Sequence, residues 1–538
     1  MVDLARRWPQ GGASPRATIR YGVLGLLALA ALIVGAWAQL SPDLDHQVAF
    51  LIAAPTAAGA TLLAVAWLIL SAPWSWGRRV TALISFMVLC GIGYGLVRVD
   101  ETSGDVVPKL AWRWTPKHDL ALSGSFDDLG TGTADLRTTT PEDYAEFLGP
   151  GRRATVSGPA LERDWSAHPP RELWRRPIGA GWGSFAIVGN YAVTQEQRGD
   201  DELVVCYELD TGKPVWHHAD SNRFEEIIAG VGPRATPTIV DGRVYTTGAL
   251  GVLNCLDGET GKRLWHHDLP AEHGADTFER TPQWGISCSP LVVDDAVIVS
   301  AGGPDGHSLV AYHRETGDLL WRAGDDPASY SSPHLTSLGG ARQVVIVNRE
   351  SVAGHDPADG RLLWRYEWLQ PNPKCAQPLV IGEDRVLVSA GYGLGSALLR
   401  IARDADGQWA AEQQWPARNL RNLKSKFADM LLIGDVVYAL DDGVMACLEA
   451  ATGKRLWRGG RYGHGQLLLV ADLILVQAEN GELALVEPNP KSFIELGGIA
   501  ALNGKTWNNP AITGRKLLVR NHEQAACYEL PVADLPDK

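Results

Sequence analysis

The sequence predicts an all-β fold, an eight-bladed β-propeller of four-stranded blades, preceded by three transmembrane α-helices. Three observations lead to this prediction: a phrase that recurs along most of the 538-residue chain, a regular spacing of tryptophans within it, and three long apolar runs near the N-terminus. We expect a membrane anchor at residues 1–98, a polar linker at 99–142 and the propeller at 143–538.

The recurring phrase is clearest at residues 253–269, LNCLDGETGKRLWHHDL. An alternating apolar run is followed by an Asp, a Thr-Gly pair, a polar spacer and Leu-Trp, and versions of it end at Trp216, Trp321, Trp364 and Trp457. Alternation with a period of two predicts strands. The turn between them suits an Asp that accepts backbone hydrogen bonds and a Gly that adopts positive φ. Each phrase therefore predicts the outer hairpin of a small sheet, with the Trp as its packing anchor.

The tryptophan anchors are regularly spaced, from Trp216 onward at intervals of 42 to 56 residues. Further strand-like runs precede each hairpin, as ATPTIVDG and RVYTTGAL do before Trp265, so each repeat contains about four strands. Repeats of this kind are typical of propeller blades rather than of helical arrays. The predicted docking residues are Trp174, Trp216, Trp265, Trp321, Trp364, Trp415 and Trp457, and Phe493 lies near the anchor position of a further repeat.

The two ends of the repeat region decide the number of blades. Residues 172–178 (ELWRRPI) look like an outer strand without a preceding partner, and the tail segments NNPAIT, KLLVRN and QAACYEL supply three strands and then stop. Joining the single strand to these three closes the ring with a blade of mixed origin and leaves no open edge. We therefore expect eight blades, and seven is the alternative if the weak repeat around Trp415 is an insertion.

The apolar runs at 21–40, 48–72 and 80–97 each approach the ~20 residues that a helix needs to cross a bilayer. The N-terminus is basic, the first loop has no Lys or Arg, and the second loop carries Arg78 and Arg79. The positive-inside rule then places the N-terminus in the cytoplasm and the propeller in the periplasm of a bacterium, tethered to the inner membrane. Cleavage of the first run as a signal peptide after Ala38 is the alternative.

The linker contains two contrasting stretches. LAWRWTPKHD, with Trp112 and Trp114, is expected to lie at the membrane interface or to dock on the ring. GSFDDLGTGTADLRTTT has little to bury, and we expect it to be mobile.

The phrase Asp-x-x-Thr-Gly-Lys-x-x-Trp resembles the tryptophan-docking repeat of pyrroloquinoline-quinone (PQQ) quinoproteins. PQQ-like propellers that bind no quinone, including the outer-membrane assembly lipoproteins of the BamB type, share it. The resemblance covers residues 144–530, and PEDYAEFLGPGRRATVSG is similar to the segment before the ring in many bacterial PQQ-like proteins. The resemblance implies the fold and leaves quinone binding open.

Composition and cysteine placement limit the function classes. The net charge of −13 disfavours a nucleic-acid binder, which needs a basic face. Cys206, Cys255, Cys447 and Cys527 occupy the same strand position in different repeats, too far apart for disulfides, and are best interpreted as small buried residues. The chain has no CxxCH haem motif and no adjacent cysteine pair.

The residues before each innermost strand are expected to ring the mouth of the central channel. The candidate ligand-binding residues are Arg234, Trp284, Cys288, His334, Lys374, Lys426, His464 and Asn508. Basic side chains at this mouth would concentrate anions, unless they pair with loop carboxylates and bind nothing. No metal site is predicted, because adjacent histidines such as His217 and His218 point to opposite faces of a strand.

The favoured interpretation is a membrane-anchored extracytoplasmic propeller that binds a protein, a peptide or a small anion, a role like that of BamB. It needs no cofactor, and its partners are the inner membrane and a protein or peptide, with no nucleic acid. The alternative is a PQQ-dependent alcohol or sugar dehydrogenase with PQQ and Ca²⁺, although no catalytic residue and no Glu/Asn/Asp ligand set can be assigned. A sensory ectodomain is less favoured, because no cytoplasmic signalling domain is evident.

Overall fold

The computed structural model describes residues 15–41, 44–122, 127–277, 279–369 and 372–533. The chain divides into two compact units, Met1–Thr115 and Pro116–Lys538.

The first unit contains helices α1 (Pro15–Leu40), α2 (His46–Leu70) and α3 (Trp76–Leu96), all long and apolar enough to cross a membrane. Most of their apolar side chains are exposed, as at Leu32 (70%) and Met87 (63%). Such a surface is unfavourable in water and suits hydrocarbon. The predicted three membrane-crossing helices before the propeller are confirmed in length and composition.

A hairpin of Val97–Thr102 and Pro108–Trp112 follows α3 in the same unit. Beyond its second strand, the rings of Trp112 and Trp114 stack with centroids 5.1 Å apart. Both rings are more than half exposed.

The second unit contains eight antiparallel blades, so the predicted propeller is confirmed. Blade 1 is Ala186–Val188, Tyr191–Arg198, Asp201–Glu208 and Pro214–Asp220. Blade 2 is Thr238–Val240, Arg243–Thr247, Val252–Asp257 and Arg263–Asp268. Blade 3 is Leu291–Val293, Ala296–Ser300, Leu309–His313 and Leu319–Ala323. Blade 4 is His334–Leu338, Ala341–Val347, Ser351–His355 and Leu362–Glu367.

The second half of the ring follows the same order from the innermost to the outermost strand. Blade 5 is Leu379–Ile381, Arg385–Ala390, Gly395–Arg403 and Trp409–Gln413. Blade 6 is Leu431–Ile433, Val436–Asp441, Val444–Glu449 and Arg455–Arg461. Blade 7 is Gln466–Val470, Leu473–Gln477, Glu482–Val486 and Glu495–Ala500. Because blade 5 is a complete sheet, the alternative of seven blades is wrong.

Blade 8 joins the two ends of the ring. Its strands Ala511–Thr513, Lys516–Arg520 and Gln524–Glu529 come from the end of the chain, and Arg171–Pro177 supplies the outermost strand. Arg520 reinforces the seam, since its buried guanidinium donates to the Thr194 hydroxyl at 2.7 Å and to the Gln195 carbonyl at 2.8 Å in blade 1. The predicted closure by a mixed blade is present.

The remaining elements are short. They are the helices His118–Ala121 and Leu269–His273, the 3₁₀ turns Asp127–Leu129, Pro150–Arg152 and Ala417–Asn419, and the small strands Glu225–Glu226, Gly230–Val231 and Thr155–Val156. Thr155–Val156 runs parallel to the innermost strand of blade 7 and adds a fifth strand to it.

The outer-strand tryptophans pack between blades. The indole N–H of Trp216 donates to the Gly258 carbonyl of the next blade at 3.0 Å. The same bond to the following blade, 2.8 to 3.2 Å long, is made by Trp174, Trp265, Trp321, Trp415 and Trp457. Trp364 instead donates to the Gln343 side chain of its own blade at 2.6 Å.

The docking position of blade 7 holds Gly497, which pairs with Leu485 where the other outer strands place their tryptophan. A Cβ at Gly497 would lie 3.2 Å from the Cβ of Trp165, a fully buried residue from the segment before the ring. Phe493 lies four residues earlier and packs back onto blade 6, with its ring centroid 5.9 Å from that of Trp457. The structure therefore places Phe493 outside the anchor position near which the sequence analysis set it.

The end of the linker differs from the sequence expectation. Residues 127–142 lie along blades 1 and 2, where the Gly132 N–H donates to the Val215 carbonyl at 2.7 Å. Leu129, Ala134 and Leu136 are buried. The expectation that this stretch has little to bury is wrong here, because three widely spaced apolar side chains suffice to hold it on the blades. Residues 123–126 lie outside the described part of the chain.

Candidate functional site

Aromatic side chains converge at one mouth of the channel. We define the aromatic cluster as Trp182, Trp284, Tyr330, Tyr392, Phe427 and Trp507. Neighbouring ring centroids are 5.0 to 6.4 Å apart, in the distance range of favourable aromatic pairs. Five of the six residues lie in loops that lead into innermost strands, and Tyr392 lies in a turn of blade 5. The mouth therefore has an aromatic lining, in which Trp182 is buried and the other five side chains are half-buried.

Only Trp284 of this cluster was among the site residues predicted from the sequence. Trp182, Tyr392 and Phe427 were missed because they lie outside the repeated phrase, in loops of different lengths. Trp182 and Phe427 each lie four residues before an innermost strand, and that position is the signal from which they could have been predicted.

The predicted basic residues Arg234 and Lys374 are each bonded to main-chain carbonyls. The Arg234 guanidinium donates to the carbonyls of Ala229 and Gly230 at 3.1 Å each, and it lies 4.3 Å from the centre of the Phe224 ring. Burial lowers its pKa to about 10. Lys374 is fully buried and donates to the Arg349 carbonyl, and burial lowers its pKa to about 8. Both cations are held by main-chain oxygens of their own surroundings.

Lys426 and His464, both among the candidate ligand-binding residues, lie close together. The Lys426 ammonium lies 3.3 Å from the His464 Nε2 and 3.4 Å from an Asp442 carboxylate oxygen. All three side chains are buried. This contact resembles the second sequence expectation, in which the basic side chains pair with carboxylates of the loops.

Asn508 and Cys288 are surrounded by main chain. The Asn508 amide donates to the carbonyls of Gly181 and Gly183 at 3.1 and 2.8 Å, which links blade 8 to the loop before blade 1. The Cys288 sulfur accepts the Ser300 N–H at 3.3 Å, and burial raises its pKa to about 11. Asn508 and Cys288 therefore stabilise the ring through hydrogen bonds to its main chain.

Arg152 from the segment before the ring fills the channel beyond the mouth. Its guanidinium donates to the carbonyls of Ser289 and Pro333 at 3.1 and 2.9 Å, and also to that of Pro290. Its Nε donates to the Glu146 carboxylate at 3.0 Å. Residues just before the innermost strands of blades 3 and 4 thus bind a cation that the chain itself supplies.

His334 lies apart from the aromatic cluster, at the start of the innermost strand of blade 4. It lines a cavity of about 340 Å³ between the segment before the ring and the innermost strands of blades 4, 5 and 6. Arg153 and Asp429 also line this cavity. The predicted site residues are therefore divided between the mouth, the ring supports and this cavity.

Comparison with known proteins gives matches of two kinds. The family model described as outer membrane protein assembly factor BamB matches residues 166–276 and 200–459. BamB of Moranella endobia is 25% identical over 290 residues, 52% of this chain and 68% of that protein. The dehydrogenase subunit of the quinone-dependent alcohol dehydrogenase of Gluconobacter oxydans is 31% identical over 202 residues, 34% of this chain and 24% of that subunit.

Among solved structures, BamB from Moraxella catarrhalis superposes with a TM-score of 0.49 at 14% identity, covering 68% of this chain and 99% of that one. The two family matches together span residues 166–459, more than half of the chain, and the blades they cover carry the docking tryptophans described above. The chain therefore belongs to the family of PQQ-like repeat propellers that the BamB model describes.

Proposed function

We propose that this protein is a membrane-tethered, non-enzymatic binding module whose propeller takes a protein or peptide partner. The three N-terminal helices hold it in the inner membrane of a bacterium, with the N-terminus in the cytoplasm and the propeller in the periplasm. The distribution of Arg residues around the helices supports this orientation. Family membership and the BamB relatives support the scaffold role.

The aromatic cluster is the observation that carries the proposal. Buried and half-buried aromatic side chains from six segments meet at one mouth. Such side chains are enriched where proteins bind proteins, because they bury a large area at a small cost in side-chain entropy. Lys505 adds a cation 4.1 Å from the Trp507 ring. A partner with exposed apolar side chains suits this lining.

A small anion is a poorer ligand for this mouth than the sequence suggested. Arg234 is half-buried, Lys374 is buried, and both are already bonded to carbonyl oxygens. Binding an anion with them would require these bonds to break. The protein or peptide part of the sequence interpretation is therefore the part we retain for the mouth.

The residues at the mouth do not fit PQQ with Ca²⁺, the cofactor that the quinone-dependent relatives suggest. Calcium takes ~6–8 oxygen ligands, several from carboxylates. Within the described residues of the propeller, no three Asp, Glu, His or Cys side chains bring ligand atoms within 4.8 Å of one another. Near the mouth, the Glu479 carboxylate accepts bonds from the His464 N–H and the Trp507 indole at 2.9 and 3.0 Å. We therefore derive no dehydrogenase step.

Site-specific cross-linking tests the binding surface. A photoreactive amino acid at position 427 of the full-length protein in its native membrane should give one discrete protein adduct. The same group at position 409, on the outer strand of blade 5, should give none. Trp284→Ala should abolish the adduct of the 427 probe, while Trp409→Ala leaves it unchanged. Equal adducts from both positions would contradict the proposal.

Two further measurements test the alternatives. The full-length protein in detergent is incubated with PQQ and Ca²⁺, and quinone absorbance and alcohol-dependent dye reduction are followed. Retained absorbance together with dye reduction would support a dehydrogenase and refute the scaffold role. For orientation, a reporter active only outside the cytoplasm should be active when fused after Lys538.

A further inference from the structure

The cavity lined by His334 contains polar side chains whose hydrogen-bonding or charge capacity is not satisfied by the propeller itself. Its walls are the segment before the ring and the innermost strands of blades 4, 5 and 6, and its volume is about 340 Å³. Pockets for small ligands in proteins begin at ~300 Å³. The cavity shares no residue with the aromatic cluster, so a ligand bound in it would be independent of the proposed function.

Asp429 is a buried carboxyl without a cationic partner. It is 5% exposed, and one of its oxygens accepts the Gln377 N–H at 2.7 Å. The described residues place no Lys, Arg or His in an ion pair with it. Burial raises its pKa to about 7. A cationic ligand group would stabilise the ionised form of this carboxyl.

His334 is a buried imidazole without a hydrogen bond. It is 5% exposed, and its Nδ1 has no partner within the ranges that the structure describes. Burial lowers its pKa to about 4, and the charges of Arg152 and Arg153 act in the same direction. The ring is therefore neutral at pH 7 and can exchange one hydrogen bond with a ligand. Leaving such a group unsatisfied costs free energy that a ligand would recover.

Arg153 supplies a positive charge to the same cavity. Arg152, its neighbour, is bound to Glu146 and to three carbonyls, so its charge is already used. Arg153 is exposed and forms no ion pair with any residue that the structure describes. Leu379, Met430 and Leu432 provide an apolar wall.

We infer that this cavity binds a small zwitterion, whose ammonium group lies against Asp429, whose carboxylate lies against Arg153 and whose apolar part lies against the leucine and methionine side chains. A molecule with both charges satisfies both residues at once. A simple anion would leave the Asp429 carboxyl without a partner, and a simple amine would leave Arg153 without one. Free aliphatic amino acids and short peptides share this chemistry.

Isothermal titration of the full-length protein in detergent tests the inference. The probes are L-leucine, glycyl-L-leucine, its N-acetyl form and its C-terminal amide. We expect one site per chain for at least one zwitterion, and affinity roughly tenfold to hundredfold weaker for either blocked form, since each has lost a charged hydrogen bond. The relative affinity of the two zwitterions distinguishes a free amino acid from a peptide.

Two conservative variants test which residue binds the ammonium group of the ligand and which binds its carboxylate. Asp429→Asn keeps an oxygen for the Gln377 N–H and should remove the preference for a free ammonium group. Arg153→Gln should remove the preference for a free carboxylate. Asp406→Asn and Arg418→Gln are the matched controls, because both residues are exposed and lie outside the cavity.

Three results would overturn the inference. One is the absence of saturable binding of both zwitterions at millimolar concentration to wild-type protein whose thermal unfolding is cooperative. Another is equal affinity for the blocked and free forms, which would show a site for an anion or an amine alone. The third is unchanged preference in both cavity variants.

Discussion

The glycine of each Thr-Gly turn lies under the tryptophan of the preceding blade. A Cβ at Gly212 would lie 2.7 Å from the Trp174 ring, and Gly212 has a φ of +66°. The equivalent glycines, with φ between +69° and +78°, are Gly261, Gly317, Gly360 and Gly453. On the adjacent third strand, a small residue pairs with the tryptophan in several blades, as Cys206 pairs with Trp216. The positive φ was predictable from the turn, whereas the close approach to the ring needed the packing of two blades.

We expect Gly212→Ala to destabilise the propeller more than Gly434→Ala does. Both glycines have φ near +60°, but a Cβ at Gly434 meets nothing within 4 Å. Gly434→Ala should cost about 1–2 kcal/mol from backbone strain alone. The clash with Trp174 should add about 1–3 kcal/mol to Gly212→Ala. Chemical unfolding of both variants measures the difference, and equal losses would mean that the glycine serves the turn only.

The carboxyl group of Glu202 predicts a pH dependence of stability. It is buried and accepts the Ala249 N–H at 2.9 Å, and burial raises its pKa to about 7. The unfolded carboxyl has a pKa near ~4.3, so between these values the folded state binds the proton and the unfolded state does not. The stabilisation that Glu202 provides is fully present below pH ~4.3. It is lost as the pH rises toward ~7, so the free energy of unfolding falls over this range.

Glu202→Gln removes this titration. We expect its melting temperature to exceed that of the wild type at pH 8 and to match it more closely at pH 5. Thermal unfolding in detergent at both pH values provides the measurement. Glu259→Gln, at an exposed position in the turn of blade 2, is the control. A wild-type pH dependence retained in Glu202→Gln would exclude this carboxyl as its source.

The segment before the ring is a structural element of the propeller, although it has almost no regular secondary structure. Its backbone reaches positive φ at Leu148, Arg152 and Ala154 as well as at three glycines. Thr155–Val156 then pairs with blade 7. The sequence identified this segment by resemblance only. The sequence could not predict that Arg152 of this segment enters the channel. Its partners there are mostly main-chain carbonyls, which have no signature in a sequence.

Arg152→Met should destabilise the ring strongly. The substitution keeps an apolar side chain in the channel but removes the charged donor of the Glu146 carboxylate and of three carbonyls. Glu146 keeps the Gly151 N–H, and the Pro290 carbonyl keeps the Thr238 hydroxyl. Loss of a charged donor to buried acceptors costs about 1–3 kcal/mol. Arg153→Met, next to it and exposed, should change the free energy of unfolding by less than about 0.5 kcal/mol. If both variants lose a similarly small part of the free energy of unfolding, the contacts of Arg152 do not stabilise the ring.

At the scale of the whole molecule, the repeated sequence was enough to predict the ring of blades. The side-chain contacts at the mouth of the channel could not be predicted, because they depend on the loops. Strand alternation and the tryptophan spacing sufficed for eight blades and for the closing strand at Trp174, because each blade repeats the same packing problem. Lys374 and Phe427 belong to loops whose lengths differ between blades. Their environments depend on contacts between loops, and charge alone suggested an open basic ring where the structure has buried, bonded cations.

Closure of the ring predicts that the last three strands are required for the fold. A chain that ends after Asn509 loses three strands of blade 8 and leaves Arg171–Pro177 without a sheet. We expect it to lose cooperative thermal unfolding and to be cut rapidly by trypsin across the propeller. A chain that ends after Ala533 keeps all three strands and should behave as the wild type does. A protease-resistant ring in the shorter chain would contradict the closure.

Blade 8 also sets an order of events during biosynthesis. Arg171 and Glu529 are bonded to each other but are separated by 358 positions along the polypeptide. The first of these strands is synthesised long before its partner, and until then it has an unpaired edge. Synthesis must therefore pass residue 529 before the ring can close, and a chaperone that shields unpaired strands would act during this delay.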